Sequence, residues 1–289
     1  MDMSTLQSTD PQRAAAAAVA AAAADSSTAA TRAVVLEADR VEKTYPNGTH
    51  ALDRATVKIQ RGEFVSLLGP SGCGKSTLLK MFAGLETPSS GRIVLHDGTD
   101  AAGPASGHRS MAMVFQEATL MPWARVDDNV RLPLDLAGVP KDQSLPRVKE
   151  ALELVGLTQF SRVYPRELSG GMQMRVSIAR ALAVQPSILL MDEPFGALDE
   201  FTRNKLDSDL HELWRQRGFT VVFVTHSIYE AVFLSSRVIV MAARPGRVIA
   251  DVPIRAPAAR DDSYRVSQPF IDDCRVLSEH LARANRGER

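Results

Sequence analysis

Cysteine is scarce: Cys73 and Cys274 are the only two in 289 residues, too few for a disulfide framework, and the expected compartment is a reducing one. An excess of either charge is missing too. The 34 basic side chains are matched by 34 acidic ones, which argues against a general nucleic-acid partner, because such surfaces carry a basic surplus. Long hydrophobic runs are also absent. The longest, Ala14 to Ala24, is alanine apart from Val19 and falls well short of the roughly 20 apolar residues that cross a bilayer. The preceding MDMSTLQSTDPQR has two aspartates and Arg13 as its one basic residue, a poor start for an export signal. What remains is ordinary globular usage, 45% hydrophobic and 24% charged, which excludes disorder of the whole chain and allows one large domain or two small ones.

Residues 1–33 are expected to be a disordered, alanine-rich extension. Then VVLEADRVEKTY and ATVKIQ read as strands flanking the turn residues Pro46, Asn47 and Gly48. EFVSLLG is a short apolar strand ending in glycine, and STLLKMFAGL has helical spacing. GRIVLHDG, closing on Asp97-Gly98, and SMAMVFQ are two more strands. Strand character disappears from about 125 to 183, where VDDNVRLPLDLAG, LPRVKEALELVGL and GMQMRVSIARAL read as helices between proline and glycine breaks. Strands return in SILLMDEP, TVVFVTH and RVIVMAA, with the helical TRNKLDSDLHELWRQRG after the first. The pattern is an α/β core interrupted by an all-helical insert, about 117–183. Residues 251–289 read as a mixed-charge C-terminal extension with a short helix near 271–284.

Residues 69–77, GPSGCGKST, satisfy the G-x-x-x-x-G-K-[ST] phosphate-loop pattern and lie between a predicted strand and a predicted helix, the context that the motif requires. Gly69, Pro70, Ser71, Gly72, Cys73 and Gly74 form the loop. Gly72 and Gly74 let backbone N–H groups turn onto phosphate oxygens, and the helix start adds favourable partial charge. Lys75 can reach the β and γ phosphates, Ser76 offers a hydroxyl to Mg2+, and Thr77 can bond near the α phosphate. Cys73 reads as a small tolerated residue, neither redox centre nor metal ligand. In SILLMDEP an apolar run delivers Asp192 and Glu193 to the C-terminal end of a buried strand, where α/β sheets bind ligands. Asp192 is the expected magnesium-associated carboxylate, acting through water, and Glu193 the expected general base for the attacking water.

ELSGGMQMRVSIARAL, residues 167–182, resembles the signature peptide of ABC-transporter ATPases, and the short motifs of that family occur in order over about 34–250. The Ser169 hydroxyl and the Gly170 and Gly171 amides precede a helix, which makes a second anion site at a helix N-terminus. The resemblance implies a P-loop NTPase (RecA-like) core with an antiparallel β subdomain and the inserted α-helical subdomain. It implies a homodimer in which each ATP, with Mg2+, lies between the phosphate loop of one subunit and the signature of the other. Residue by residue, Tyr45 resembles the aromatic that stacks on adenine, and Gln116 the glutamine joining the magnesium site to the helical insert. Asp199 in ALD matches the loop that meets the opposing subunit, and His226 the switch histidine that contacts the γ phosphate.

With no membrane span in the sequence, an importer-type ATPase separate from its permease fits better than a fused exporter half. ATLMPWARVDDNV, DEPFGALDEFTR and THSIYEAVFLSSRVIVMAARPGRV are similar to the nitrate, sulfonate and taurine importer subfamily, whose relatives import pyrimidine precursors. The implied partners are permease subunits and, indirectly, a solute-binding protein, and the implied place is the cytoplasmic face of the membrane. Trp123 packs either beneath a permease helix or into the insert's own core. Alternatives are an ATPase of another importer class and a non-transport P-loop NTPase. Two GTPase-like strings, Asn204-Lys205-Leu206-Asp207 and Asp100-Ala101-Ala102-Gly103, sit in the wrong setting, one inside a predicted helix and one in a Gly/Ala/Pro-rich loop. A non-hydrolysing nucleotide-binding module would lack Glu193.

Overall fold

The computed structural model describes residues 33–96, 111–243 and 245–286, so the string at 100–103 and nearly all of the 1–33 extension lie outside the described residues. β1 (Val34–Thr44) and β2 (His50–Gln60) form the expected hairpin, and β4 (Ser90–Leu95) pairs antiparallel on the other side of β1, giving a three-stranded sheet. The second sheet has six strands in the order β5 (Met111–Val114), β6 (Ile188–Asp192), β7 (Thr220–Thr225), β3 (Phe64–Leu68), β8 (Arg237–Ala242), β9 (Arg247–Pro253). All neighbours are parallel except β8 and β9. Every residue of β3, β6 and β7 is buried, as expected of parallel strands covered on both faces.

α1 (Lys75–Phe82) follows β3, and its Leu78, Leu79, Met81 and Phe82 join Val65, Leu67, Leu190 and Val222 in the core shared by the two sheets. The insert holds α2 (Val126–Leu136), α3 (Lys141–Leu154) and α4 (Gly170–Ala183), with a core of its own that includes Val126, Val130, Val148 and Leu152. α4 belongs to both bodies. Its Val176, Ala179 and Ala183 pack into the insert, whereas Met174, Ile178, Ala181 and Leu182 face the sheet. A helix apolar on more than one stripe is the device that fastens the insert to the core.

α5 (Glu200–Arg217) lies where TRNKLDSDLHELWRQRG is helical in the sequence, with Asn204 and Asp207 inside it, so the guanine-reading string is in a helix. Three elements exceed the sequence reading, α6 (Ile228–Leu234), the edge strand β9 and the short α7 (Asp262–Arg265), and the expected C-terminal helix is α8 (Gln268–Arg286). The helix expected near 271–284 is therefore 19 residues long, and it buries Phe270 and Leu277 in the main core. No helix among the described residues is long and apolar enough to cross a membrane.

Candidate active site

Strand order brings the singled-out residues together. Leu68 pairs with Thr225, Val224 with Asp192, and Met191 with Val114 in parallel register. Adjacent strands thus release, from one edge, the 69–74 loop, His226, Asp192 with Glu193, and Gln116.

Gly72 and Gly74 both take positive φ, 77° and 86°. At Gly74 a Cβ would also lie 2.6 Å from Leu52 Cδ2 and 2.8 Å from the Ala51 carbonyl, so glycine is required there twice over. The loop is sealed from behind by the start of β2. Lys75 opens α1 with its side chain only 4% exposed. Its Nζ donates to the carbonyls of Gly69 at 2.9 Å and Pro70 at 3.1 Å, and lies 3.6 Å from Glu193 Oε1. Cys73 is buried with its Sγ 4.0 Å from Lys75 Nζ, and burial pushes its thiol up from the ordinary value, which suits packing and not nucleophilic chemistry.

Ser76 Oγ donates to Asp192 Oδ1 at 2.7 Å. Burial raises the Asp192 carboxyl above its ordinary value even though the Ser76 bond works the other way. A desolvated carboxylate and a hydroxyl are hard oxygen donors suited to Mg2+. Among the described residues no group of three or more His, Cys, Asp or Glu side chains could hold a metal, so phosphate oxygens and water would complete the shell. Glu193 follows with φ 44°, a left-handed backbone that costs a non-glycine residue on the order of 1 kcal/mol or more. It is held there by Glu193 N–H donating to the Val224 carbonyl at 3.0 Å and Gly196 N–H donating to the Glu193 carbonyl at 3.2 Å. The resulting side-chain direction puts Glu193 Oε2 3.2 Å from His226 Nδ1. Lys75, Glu193 and His226 are therefore in one line of contacts.

Tyr45 is half-buried, with Oη 3.3 Å from Thr77 Oγ1 and Lys43 Nζ 5.1 Å from the ring centre, so the hairpin aromatic stands beside the phosphate-loop helix. It is also a turn anchor, accepting from Gly48 N–H and donating its own N–H to the Thr49 carbonyl, each at 2.9 Å. Gln116 is exposed two residues beyond β5. Ser169 caps α4, its Oγ accepting from Met172 N–H at 3.3 Å, while Ser169 and Gly170 are exposed. Gly171 is buried, and a Cβ there would stand 2.8 Å from Thr202 Cγ2. The signature turn is thus pressed against the start of α5, which Asp199 caps by accepting from Thr202 N–H at 3.0 Å. That backbone bond holds the exposed Asp199 carboxyl below its ordinary value. Among the described residues no hydrogen bond or ion pair joins Ser169, Gly170 or Asp199 to the phosphate loop.

A family model for the ABC transporter matches residues 52–196. The chain is 50% identical over 206 residues to a taurine import ATP-binding protein of Rhizobium johnstonii, covering 71% of this chain and 77% of that one. It is 44% identical over 210 residues to an aliphatic sulfonates import ATP-binding protein of Bacillus cereus, covering 72% and 80%. A solved dimeric ATP-binding cassette in a post-hydrolysis state, bound to ADP and Pi, superposes with TM-score 0.64 at 34% identity over 77% of this chain and all of that one. The chain belongs to the ABC transporter family.

In this ABC ATPase the route from Gln116 into the insert is clamped by residues that the motifs do not single out. Arg180 on α4 donates to the carbonyls of Ala118 and Thr119 and to Thr119 Oγ1, each at 2.9 Å. Asn129 on α2 accepts from Met121 N–H at 2.7 Å and donates to the Met121 carbonyl at 3.1 Å. The segment that follows Gln116 is therefore tied to the helix that Ser169 caps. Trp123, at its far end, is 75% exposed, which rules out an anchoring role in the insert's core.

Proposed function

We propose that this ABC ATPase is the hydrolytic subunit of an importer, acting as a homodimer on the cytoplasmic face of a membrane beneath a separate permease, with a solute of the taurine and sulfonate class. The similarity to import ATP-binding proteins supports the direction of transport, and exposed Trp123 supplies an aromatic for the permease. The observation that carries the hydrolytic reading is the contact line Lys75, Glu193, His226 beside the Ser76 and Asp192 pair.

In the proposed mechanism Tyr45 stacks on the adenine, and the 69–74 amides with Lys75 hold the phosphates. Lys75 already spends its donors on two carbonyls of its own loop, so phosphate oxygens replace acceptors that are in place, with little reorganisation. Ser76, Asp192 and Gln116 are the groups that would hold Mg2+, which supplies neutralisation of β- and γ-phosphate charge when bound. A carboxylate only accepts, so the contact to Glu193 puts a proton on His226 Nδ1, and Nε2 donates to the γ phosphate when the ring carries its second proton. Glu193, fixed from both sides, directs the attacking water in line. Ser169, Gly170 and Gly171 of the partner subunit close on the same phosphate, and Asp199 lies at the junction.

Glu193→Gln tests the reading in the purified full chain. Turnover is expected to fall by about 10²-fold or more while ATP is still bound, because the phosphate-holding groups survive but the basic carboxylate does not. Normal turnover in that variant would overturn the assignment.

A further inference from the structure

Behind the catalytic line, one ion pair spans two loops that chain order keeps apart. Arg203, one turn into α5, donates from Nη2 to the Leu198 carbonyl at 2.6 Å and from Nε to the Phe195 carbonyl at 3.4 Å. These two carbonyls belong to the segment joining Glu193 to Asp199. Arg203 Nε also lies 3.6 Å from Oε1 of Glu230, a residue of α6 only 6% exposed. The other carboxylate oxygen of Glu230 accepts from Thr225 Oγ1, the residue immediately before His226. The turn is pinned further by Ser227 N–H donating to Thr225 Oγ1 at 2.9 Å and Glu230 N–H donating to Ser227 Oγ at 3.3 Å. Burial raises the Glu230 carboxyl; Thr225, Arg203 and His226 act to lower it, and Glu193 adds to the rise, so the field of the catalytic pair reaches this group.

An ion pair that buries one carboxylate against a half-buried guanidinium is a weak device for stability, since desolvation of Glu230 offsets much of what attraction gives. What the arrangement does supply is direction. Each partner spends its remaining hydrogen-bonding capacity on backbone or hydroxyl groups of a catalytic loop.

We propose that Arg203 and Glu230 are positioning residues for hydrolysis, coupling the 193–199 segment to the His226 turn so that base, switch histidine and subunit-facing Asp199 are held as one unit. The proposal rests on the roles given above to Glu193 and His226. In the full chain, Arg203→Gln, Glu230→Gln and the double variant are compared for kcat, KM and affinity for a non-hydrolysable ATP analogue. Each single change should lower kcat on the order of tenfold, as displacement of catalytic groups does, with KM and analogue affinity within about twofold. The double variant should be no slower than the slower single one, because both changes cut the same link. Thr225→Val removes the link at its other end and should lower kcat without changing analogue affinity, which keeps the test available where Glu230→Gln does not fold. Arg203→Gln and Thr225→Val with wild-type kcat, or effects that multiply in the double variant, would overturn the coupling. Glu193→Gln and His226→Ala run in parallel: if they abolish turnover while the pair variants keep wild-type kcat, the coupling alone fails, and if they retain it, the underlying site assignment fails.

Discussion

Two glycine-rich turns start helices in this chain, and they are built in opposite ways. The turn at 69–74 is backed by β2, is followed by a cation in the first helical residue, and lies beside two carboxylates at the end of β6. The turn at 169–171 has a neutral hydroxyl, with Ser169 and Gly170 exposed and Gly171 buried, and its near neighbour is the start of α5. The first brings a cation, metal-suited oxygens and the Glu193 carboxylate together from one polypeptide. The second offers only partial positive charge at a helix end, a feature that gains meaning when an anion is brought to it from outside. The contrast teaches that two helix starts of one chain can be built unlike each other, and on the function proposed above the weaker one is the half met by another copy.

Lys75→Ala and Ser169→Ala separate these halves most sharply. Removing the buried ammonium should weaken ATP-analogue binding by about 10²-fold or more, since charge-assisted phosphate contacts are the strong ones, and turnover should vanish with it. Ser169→Ala should leave analogue binding to the dilute subunit within about twofold and lower turnover at high protein concentration by about tenfold, as loss of one donor to a developing charge does. Equal losses of binding in the two variants would erase the distinction between the halves.

The first half was the more legible one, for physical reasons. Phosphate binding requires glycine, lysine and hydroxyl residues at fixed offsets, and parallel strands advertise themselves by unbroken apolar runs such as SILLM and TVVFV. The segment IYEAVFL is harder to read because seven apolar-rich residues between two strands fit helix and strand alike. RVIADVP gives no clean alternation, its residues all being half-buried or exposed along the sheet edge, and α8 shows mixed charge because its outer face is solvated. Contacts such as Arg180 with Thr119 or Arg203 with Glu230 join positions 61 and 27 residues apart, and no local pattern records them. Nor does any pattern announce the left-handed backbone of Glu193, which depends on β7 lying alongside.

How closely the weaker half depends on its seat can be read from Gly171. The methyl of alanine there would meet Thr202 Cγ2 at 2.8 Å, forcing α4 and α5 apart at the point where Ser169 and Asp199 are both presented. Gly171→Ala should cost about 2 kcal/mol in chemical denaturation, within the usual range for overpacking, and should lower turnover while analogue binding is kept. Adding Thr202→Ser removes the obstructing methyl and should restore both quantities. Failure of that rescue would place the strain elsewhere.

The smallest expected effect concerns the interior behind Asp199. On the buried face of α5, Asp207 is pushed up to about 8, chiefly by burial and further by nearby Glu230, with Arg265 at 3.4 Å offsetting part of the rise. One helical turn on, burial pushes His211 down to about 4. Folded Asp207 keeps its proton where the unfolded residue has lost it, so its contribution is full below about pH 4 and is lost as pH rises through about 8. Folded His211 stays neutral where the unfolded residue takes up a proton, so its contribution is full above about 6.5 and is lost as pH falls toward 4. The two slopes oppose each other between about pH 4 and 6.5, and only the Asp207 slope remains from there to about 8. Stability should therefore decline by about 1–2 kcal/mol over that last window, and Asp207→Asn, which mimics the protonated side chain, should flatten the decline and leave the His211 slope unopposed between about pH 4 and 6.5. If the variant kept the wild-type slope between pH 6.5 and 8, a different group would be controlling the footing of α5, and the weaker half-site would not owe its alkaline sensitivity to this face.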